Sequence, residues 1–194
     1  MKPDRVAGLL PMRKGHFRLE SGHHFDRFLD LELLFVLPKA VLPFANLLAT
    51  PVKRSNAEVV CGPLVEGAFV AMMVAEKLGI PFTYAERIAD DTLTGLYTVR
   101  YKLPGAQRQL VRGKRVAIVN DVISAGSAIR GAYNDLVECG ATPVVVAALA
   151  VIGNRAAAWA ASQEISVETL VSFPNEVWEP ETCPLCREGI PLDN

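Results

Sequence analysis

The sequence predicts an α/β fold, a central, mostly parallel sheet flanked by helices on both faces. From Ala57 onward, short apolar strand-like runs alternate with helix-like segments. Those strand-like runs lack a polar alternate, as strands covered on both faces must. The chain of 194 residues, 51% hydrophobic and 21% charged, suffices for one domain with a full core, read here as spanning 1–194.

Residues 1–50 mix Gly, His and Pro with short apolar runs and are expected to form an irregular N-terminal hood, with a short helix over Pro38–Ala49. The regular core is expected over 57–171. Its first strand is Ala57–Cys61, stopped by Gly62-Pro63, and a helix over Val65–Leu78 ends at Gly79. Phe82–Ala85 and Arg115–Val119 read as the next strands. Ala128–Cys139 reads as a helix closed by Gly140, Pro143–Ile152 as a long buried strand and Ile165–Val171 as the last one. The connection over residues 86–114 is too long for its topological task, and such connections usually carry function or motion. Within it Gly95–Leu103 is expected to form a hairpin folded out of the sheet, and Asp90–Arg108 to be a mobile cover over the site. Residues 174–194 form a Pro-rich C-terminal tail.

A net charge of −1 gives no sequence-wide attraction to nucleic acid or to an anionic membrane. The apolar stretch Leu31–Ala49 is interrupted by Glu32, Pro38, Lys39 and Pro43, which argues against a membrane span. Four cysteines make no disulfide framework, and Pro3, Asp4 and Arg5 do not resemble a secretory leader, so the expected compartment is cytoplasmic.

The richest segment is the turn after the Arg115 strand, Asn120-Asp121-Val122-Ile123-Ser124-Ala125-Gly126-Ser127. An apolar strand ends in two polar residues, and a Ser/Gly turn then opens a helix. Backbone amides at a helix N-terminus and two hydroxyls form a cradle for phosphate, and Gly126 lets the backbone come close. Asp121, at the carboxyl edge of its strand, is placed to accept bonds from sugar hydroxyls. A plain capped strand-to-helix turn has the same composition.

This segment resembles the phosphoribosyl pyrophosphate (PRPP) signature of the type I phosphoribosyltransferases, and with Ala128-Ile129-Arg130 behind it is most similar to the orotate phosphoribosyltransferases. The resemblance implies the type I phosphoribosyltransferase fold with a small hood. It also implies phosphoribosyl transfer from PRPP to a base with release of pyrophosphate, Mg²⁺ as cofactor (with Asp121 holding it partly through the ligand) and a homodimer. Residues 120–127 would bind PRPP. Gly62-Pro63-Leu64-Val65-Glu66-Gly67 resembles the family's pyrophosphate loop, with its two glycines letting amides face a diphosphate. Leu19-Glu20-Ser21-Gly22 is similar to a segment bordering the base pocket, which assigns Ser21 and Gly22 to the base. Arg155 is matched to an Arg that binds the carboxylate of orotate, or is a surface Arg starting a helix. Arg87 and Lys102 would join Asp121 as catalytic groups by stabilising the leaving charge, or form a solvated hairpin face.

Three departures bear on catalysis. Asn120 stands where the family carries an acid, Glu66 where orotate enzymes carry Lys, and the Lys- and His-rich mobile segment is replaced by Asp90-Asp91-Thr92-Leu93-Thr94-Gly95. A PRPP- or nucleotide-binding regulatory protein without turnover, or a transferase for another base, therefore stands beside the orotate reading. At the far end, Cys183-Pro184-Leu185-Cys186 is half of a zinc knuckle without a second pair nearby in sequence. Two tails combining their pairs on zinc, a redox disulfide, and two thiols in a tail docked through Trp178 and Leu185 all fit it.

Overall fold

The computed structural model describes residues 12–29, 31–89, 99–173 and 177–193. The first part of the hood is an antiparallel hairpin, β1 (Met12–Arg18) and β2 (His24–Leu29). A short helix α1 (Glu32–Phe35) leads into α2 (Pro38–Arg54). The core follows as β3 (Val59–Pro63), α3 (Glu66–Leu78), β4 (Phe82–Ala89), β5 (Val99–Lys102), α4 (Arg108–Val111) and β6 (Arg115–Ile123). It closes with α5 (Ser127–Glu138), β7 (Thr142–Ile152), α6 (Arg155–Ser162) and β8 (Ser166–Phe173), and the tail carries one helical turn, α7 (Pro184–Arg187).

The six-stranded sheet runs β5-β4-β3-β6-β7-β8, parallel throughout except for β5 against β4. The period of two sorts the central side chains between two cores. On β6 and β7, Ala117, Val119, Val145, Ala147 and Leu149 face α2 and α3, where Leu48, Val70 and Val74 are fully buried. Val116, Ile118, Val146 and Ala148 face the other way, onto Ile129, Ala132 and Leu136 of α5. The expected α/β architecture is thus the observed one, and its strands are apolar on both faces because helices cover both.

The differences lie at the edges. The described part of the hood is regular, a hairpin and the start of a 17-residue helix. Helix α2 passes its expected end at Ala49 and contains Pro43 and Pro51. Each internal proline costs roughly 3 kcal/mol in an isolated helix. The buried stripe Val41, Phe44, Ala45, Leu48, Ala49 and Val52 against the sheet offsets that cost. Within the expected hairpin, β5 joins the sheet edge through the register Arg87↔Tyr101 and Ile88↔Arg100, so it does not fold away. Asp90–Thr98 lies outside the described residues. Arg108, at the end of the expected mobile cover, makes 2.9 Å contacts to both carboxylate oxygens of Asp135, a buried residue that also accepts the Leu103 amide at 2.8 Å. The described end of that segment is thus tied to α5 at Leu103 and Arg108. No helix among the described residues is long and apolar enough to cross a membrane.

Candidate active site

The carboxyl ends of β3 and β6 lie side by side, because these strands pair in parallel. The turns that follow them therefore open on the same edge of the sheet, where open α/β folds bind ligands. After β6, Ser124 to Ser127 lead into α5 through Gly126, which takes a left-handed φ of 88°. A Cβ there would meet the Ala156 side chain at 3.2 Å, so backbone shape and packing both call for glycine. This turn, with Leu19, Glu20 and Ser21 of the β1–β2 loop and Asn120, lines a cavity of about 180 Å³.

A second cavity of about 660 Å³ adjoins it and shares Glu20, Asn120, Val122 and Ala128 with the first. Its walls add Pro63, Leu64, Val65, Glu66 and Gly67 after β3, Glu86 and Arg87 of β4, Tyr101 and Asp121. The Leu64–Val65 peptide is cis. The two glycines of the β3 loop are tied to packing. Gly62 lies against α3, where a Cβ would stand 2.6 Å from the Ala71 side chain and 2.7 Å from the Ala68 backbone. A Cβ on Gly67 would collide with Oδ1 of Asn120.

Asn120 is buried at 7% exposure, and its Nδ2 donates to the Val122 carbonyl at 2.8 Å. That bond needs an amide, since a carboxylate there would face the Val122 carbonyl oxygen with no proton to donate. The Asp121 carboxyl is pushed up to about 7, chiefly by burial; its own and Val122's amides oppose the shift, and the nearby Glu66 charge adds to it. Two carboxylates on one cavity wall, one of them made a weaker acid chiefly by burial, form a donor set suited to a hard divalent cation.

Glu20 is the residue that reading the chain in order missed. Its Oε2 accepts the Ser127 hydroxyl at 2.8 Å, its Oε1 accepts the Tyr101 hydroxyl at 2.8 Å, and the Arg87 Nε stands 3.3 Å from Oε1. One hood carboxylate thus reaches the N-terminal turn of α5 and joins the two cavities. Its burial and Glu20 together drive the Tyr101 phenol upward, so it stays a donor. The available signal was an acid inside a Leu-x-Ser-Gly loop, which becomes informative only once that loop faces a phosphate cradle.

The remaining expected residues fall in different places. Ser21 is buried, and its hydroxyl lies 3.0 Å from the ring Nδ1 of His23; Gly22 has a left-handed φ of 84° at the turn of the hairpin. Arg155 begins α6, donates from Nε to the Val177 carbonyl at 3.2 Å and approaches Glu179 at 3.9 Å. Lys102 is exposed and lines a separate hollow beside Arg130 and Asn134, whereas Arg87 lines the second cavity. Cys183 and Cys186 lie away from both cavities, against the hairpin.

Two adjoining cavities of about 180 and 660 Å³ thus open on the carboxyl edge of a parallel sheet, one walled by the Ser124–Ser127 turn and the other by the Pro63–Gly67 loop, the edge at which open α/β folds take their ligands. Residues 44–182 match the phosphoribosyl transferase domain family, and the chain belongs to the type I phosphoribosyltransferases. It is 30% identical over 181 residues to the orotate phosphoribosyltransferase of Thermoanaerobacter sp. (strain X514), covering 93% of this chain and 88% of that one. Identity to the orotate phosphoribosyltransferase of Pelotomaculum thermopropionicum is 31% over 180 residues, 93% and 87% of the two chains. Among solved structures, the orotate phosphoribosyltransferase from Aeropyrum pernix superposes with a TM-score of 0.66 at 19% identity, covering 89% of this chain and 93% of that one. The adenine phosphoribosyltransferase from Thermoanaerobacter pseudethanolicus gives 0.69 at 15%, covering 89% and 100%. These structural likenesses concern the fold alone.

Proposed function

We propose that the chain transfers a phosphoribosyl group from PRPP to a ring nitrogen of a nucleobase, with orotate as the acceptor. The observation that carries this is the adjacency of the two cavities, one walled by the Ser124–Ser127 turn and the other by the Pro63–Gly67 loop, with Asn120 and Asp121 between them. That spacing suits a ligand with a 5-phosphate at one end, a ribose in the middle and a diphosphate at the other. Similarity to orotate phosphoribosyltransferases over 93% of the chain favours orotate over other bases.

In this reading the turn amides and the hydroxyls of Ser124 and Ser127 hold the 5-phosphate. Asp121 accepts from the ribose hydroxyls. The base nitrogen attacks the anomeric carbon as its bond to the diphosphate oxygen breaks, and the electron pair leaves with pyrophosphate. Arg87, on the wall of the diphosphate cavity, stabilises that leaving charge. Asp121 and Glu66 would hold Mg²⁺ together with the ligand, and a bound magnesium ion supplies charge neutralisation to the diphosphate. Arg155 would receive the carboxylate of the base by turning from Glu179.

A turnover assay with PRPP, Mg²⁺ and a panel of bases tests the reading. Nucleotide formation with orotate supports it in full, and formation with another base moves the acceptor. Tight PRPP binding without turnover on any base favours a PRPP-binding regulatory protein, for which Asn120 in place of an acid is the specific observation. Absence of PRPP binding overturns both.

A further inference from the structure

Outside the linings of both cavities, four donor groups converge that the phosphoribosyl reading does not use. His16 of β1, His24 of β2 and Cys183 and Cys186 of the tail bring one ligand atom each to within 4.8 Å of one another. The Nε2 of His16 lies 3.0 Å from Nδ1 of His24, 3.5 Å from Cys183 Sγ and 3.8 Å from Cys186 Sγ, and Cys186 Sγ lies 3.2 Å from Nδ1 of His24. A tetrahedral zinc with bonds of about 2.0 Å to nitrogen and about 2.3 Å to sulfur separates its ligands by about 3.3 to 3.8 Å. The four separations just given, 3.0 to 3.8 Å, lie close to that range.

We propose that His16, His24, Cys183 and Cys186 form a structural zinc site that staples the tail to the N-terminal hairpin within one chain. Two nitrogens and two sulfurs in a closed tetrahedral set select zinc among common divalent ions, while magnesium and calcium prefer oxygen. The site needs no second copy of the chain, because the hairpin supplies the two ligands that the C-x-x-C lacks.

Three further observations support it. The Nδ1 of His16 lies 2.7 Å from the Ile190 carbonyl, and a carbonyl only accepts. The ring proton therefore sits on Nδ1, and the Nε2 lone pair points into the cluster, the outer hydrogen bond that zinc-bound histidines make. Both histidines are also clipped at the backbone by the tail. The His24 amide donates to Trp178 at 2.7 Å with the reciprocal bond at 2.9 Å, and the Asp193 amide donates to the His16 carbonyl at 2.6 Å. Finally, the tail buries little apolar surface of its own. Among its described residues only Val177 and Cys183 are buried, while Ile190 and Leu192 stay 41% and 42% exposed. Such a segment does not bury enough apolar surface to repay its ordering.

The staple bears on the site at one remove. His16 and His24 flank the loop Leu19–His23, and Glu20 of that loop reaches Ser127 in the phosphate turn. Zinc would act as a positioning element for the hood.

The test is the metal content of the full chain expressed with zinc and freed of loose ions by desalting. Equimolar zinc is expected, and replacement by Co²⁺ should give the intense visible bands and thiolate charge transfer of a tetrahedral sulfur-containing site. Cys183→Ser and Cys186→Ser should each retain less than about a tenth of the zinc, since loss of a ligand costs at least as much as loss of its outer-shell partner. Cys139→Ser, outside the cluster, should keep it. If the unmodified chain carries no zinc after zinc supplementation, or if the Cys186→Ser chain holds it as firmly as the unmodified one, the proposal is wrong and the four groups are a hydrogen-bonded cluster. The unmodified chain answers the question even where a variant fails to fold, and neither result depends on turnover.

Discussion

The phosphate turn and the His/Cys cluster are both small polar sites on an apolar scaffold, and they are assembled in opposite ways. The turn is one contiguous segment, 120–127, whose shape follows from its own residues and from the strand and helix it joins. The cluster draws on residues 16, 24, 183 and 186, which meet only because the hairpin and the tail pack together. A contiguous site needs local conformation to be right. A site drawn from segments far apart in the chain needs the whole fold, and gives in return a crosslink to a tail that buries little apolar surface of its own.

The largest expected effect separates the two regions. Asp121→Ala should weaken Mg²⁺-dependent PRPP binding by about 100-fold or more, as loss of a charged group at a preorganised site does, while leaving zinc content unchanged. Calorimetric titration and metal analysis on the same sample check both halves. Unchanged PRPP affinity would remove Asp121 from the site, and joint loss of zinc would mean that the regions are not independent. For Asn120→Asp, the residue types alone imply PRPP binding intact or strengthened, because a second acid is restored. The Nδ2 bond to the Val122 carbonyl, which a carboxylate cannot make, works against that gain, and the same calorimetric titration reads which effect wins.

A further effect concerns pH. Because the folded Asp121 carboxyl is raised to about 7, the native state favours its protonated form. That contribution is fully present below the unfolded value of about 4 and is lost as pH rises through about 7. Asp121→Asn removes the titration, so the stability of the variant relative to the parent should climb between pH 4 and 7 and level off above, by up to about 4 kcal/mol. Urea unfolding at pH 5 and pH 8 reads it, and a difference that falls as pH rises contradicts the burial argument. The smallest effect falls on the residue joining the regions. Glu20→Ala removes a carboxylate that repels an incoming anion and holds the Ser127 hydroxyl, so phosphate should bind a few-fold more tightly, worth about 1 kcal/mol. Weaker phosphate binding in a titration would show instead that Glu20 orders the cradle.

What the sequence by itself determined is whatever a short segment decides. The apolar runs Val116–Val119 and Val144–Ile152 can only be buried strands, the Ser/Gly turn between strand and helix can be recognised from its residue types, and the order of elements follows from their alternation. Tertiary structure decided what depends on contacts between distant residues. Helix α2 survives Pro43 and Pro51 because its buried stripe meets the sheet. Gly67 is required by Asn120, and the hairpin of the hood takes a bridge at His24 from Trp178 of the tail. The Cys-x-x-C became half of a four-ligand set only when β1 and β2 brought two histidines to it, since no spacing along the chain encodes a distance between its ends.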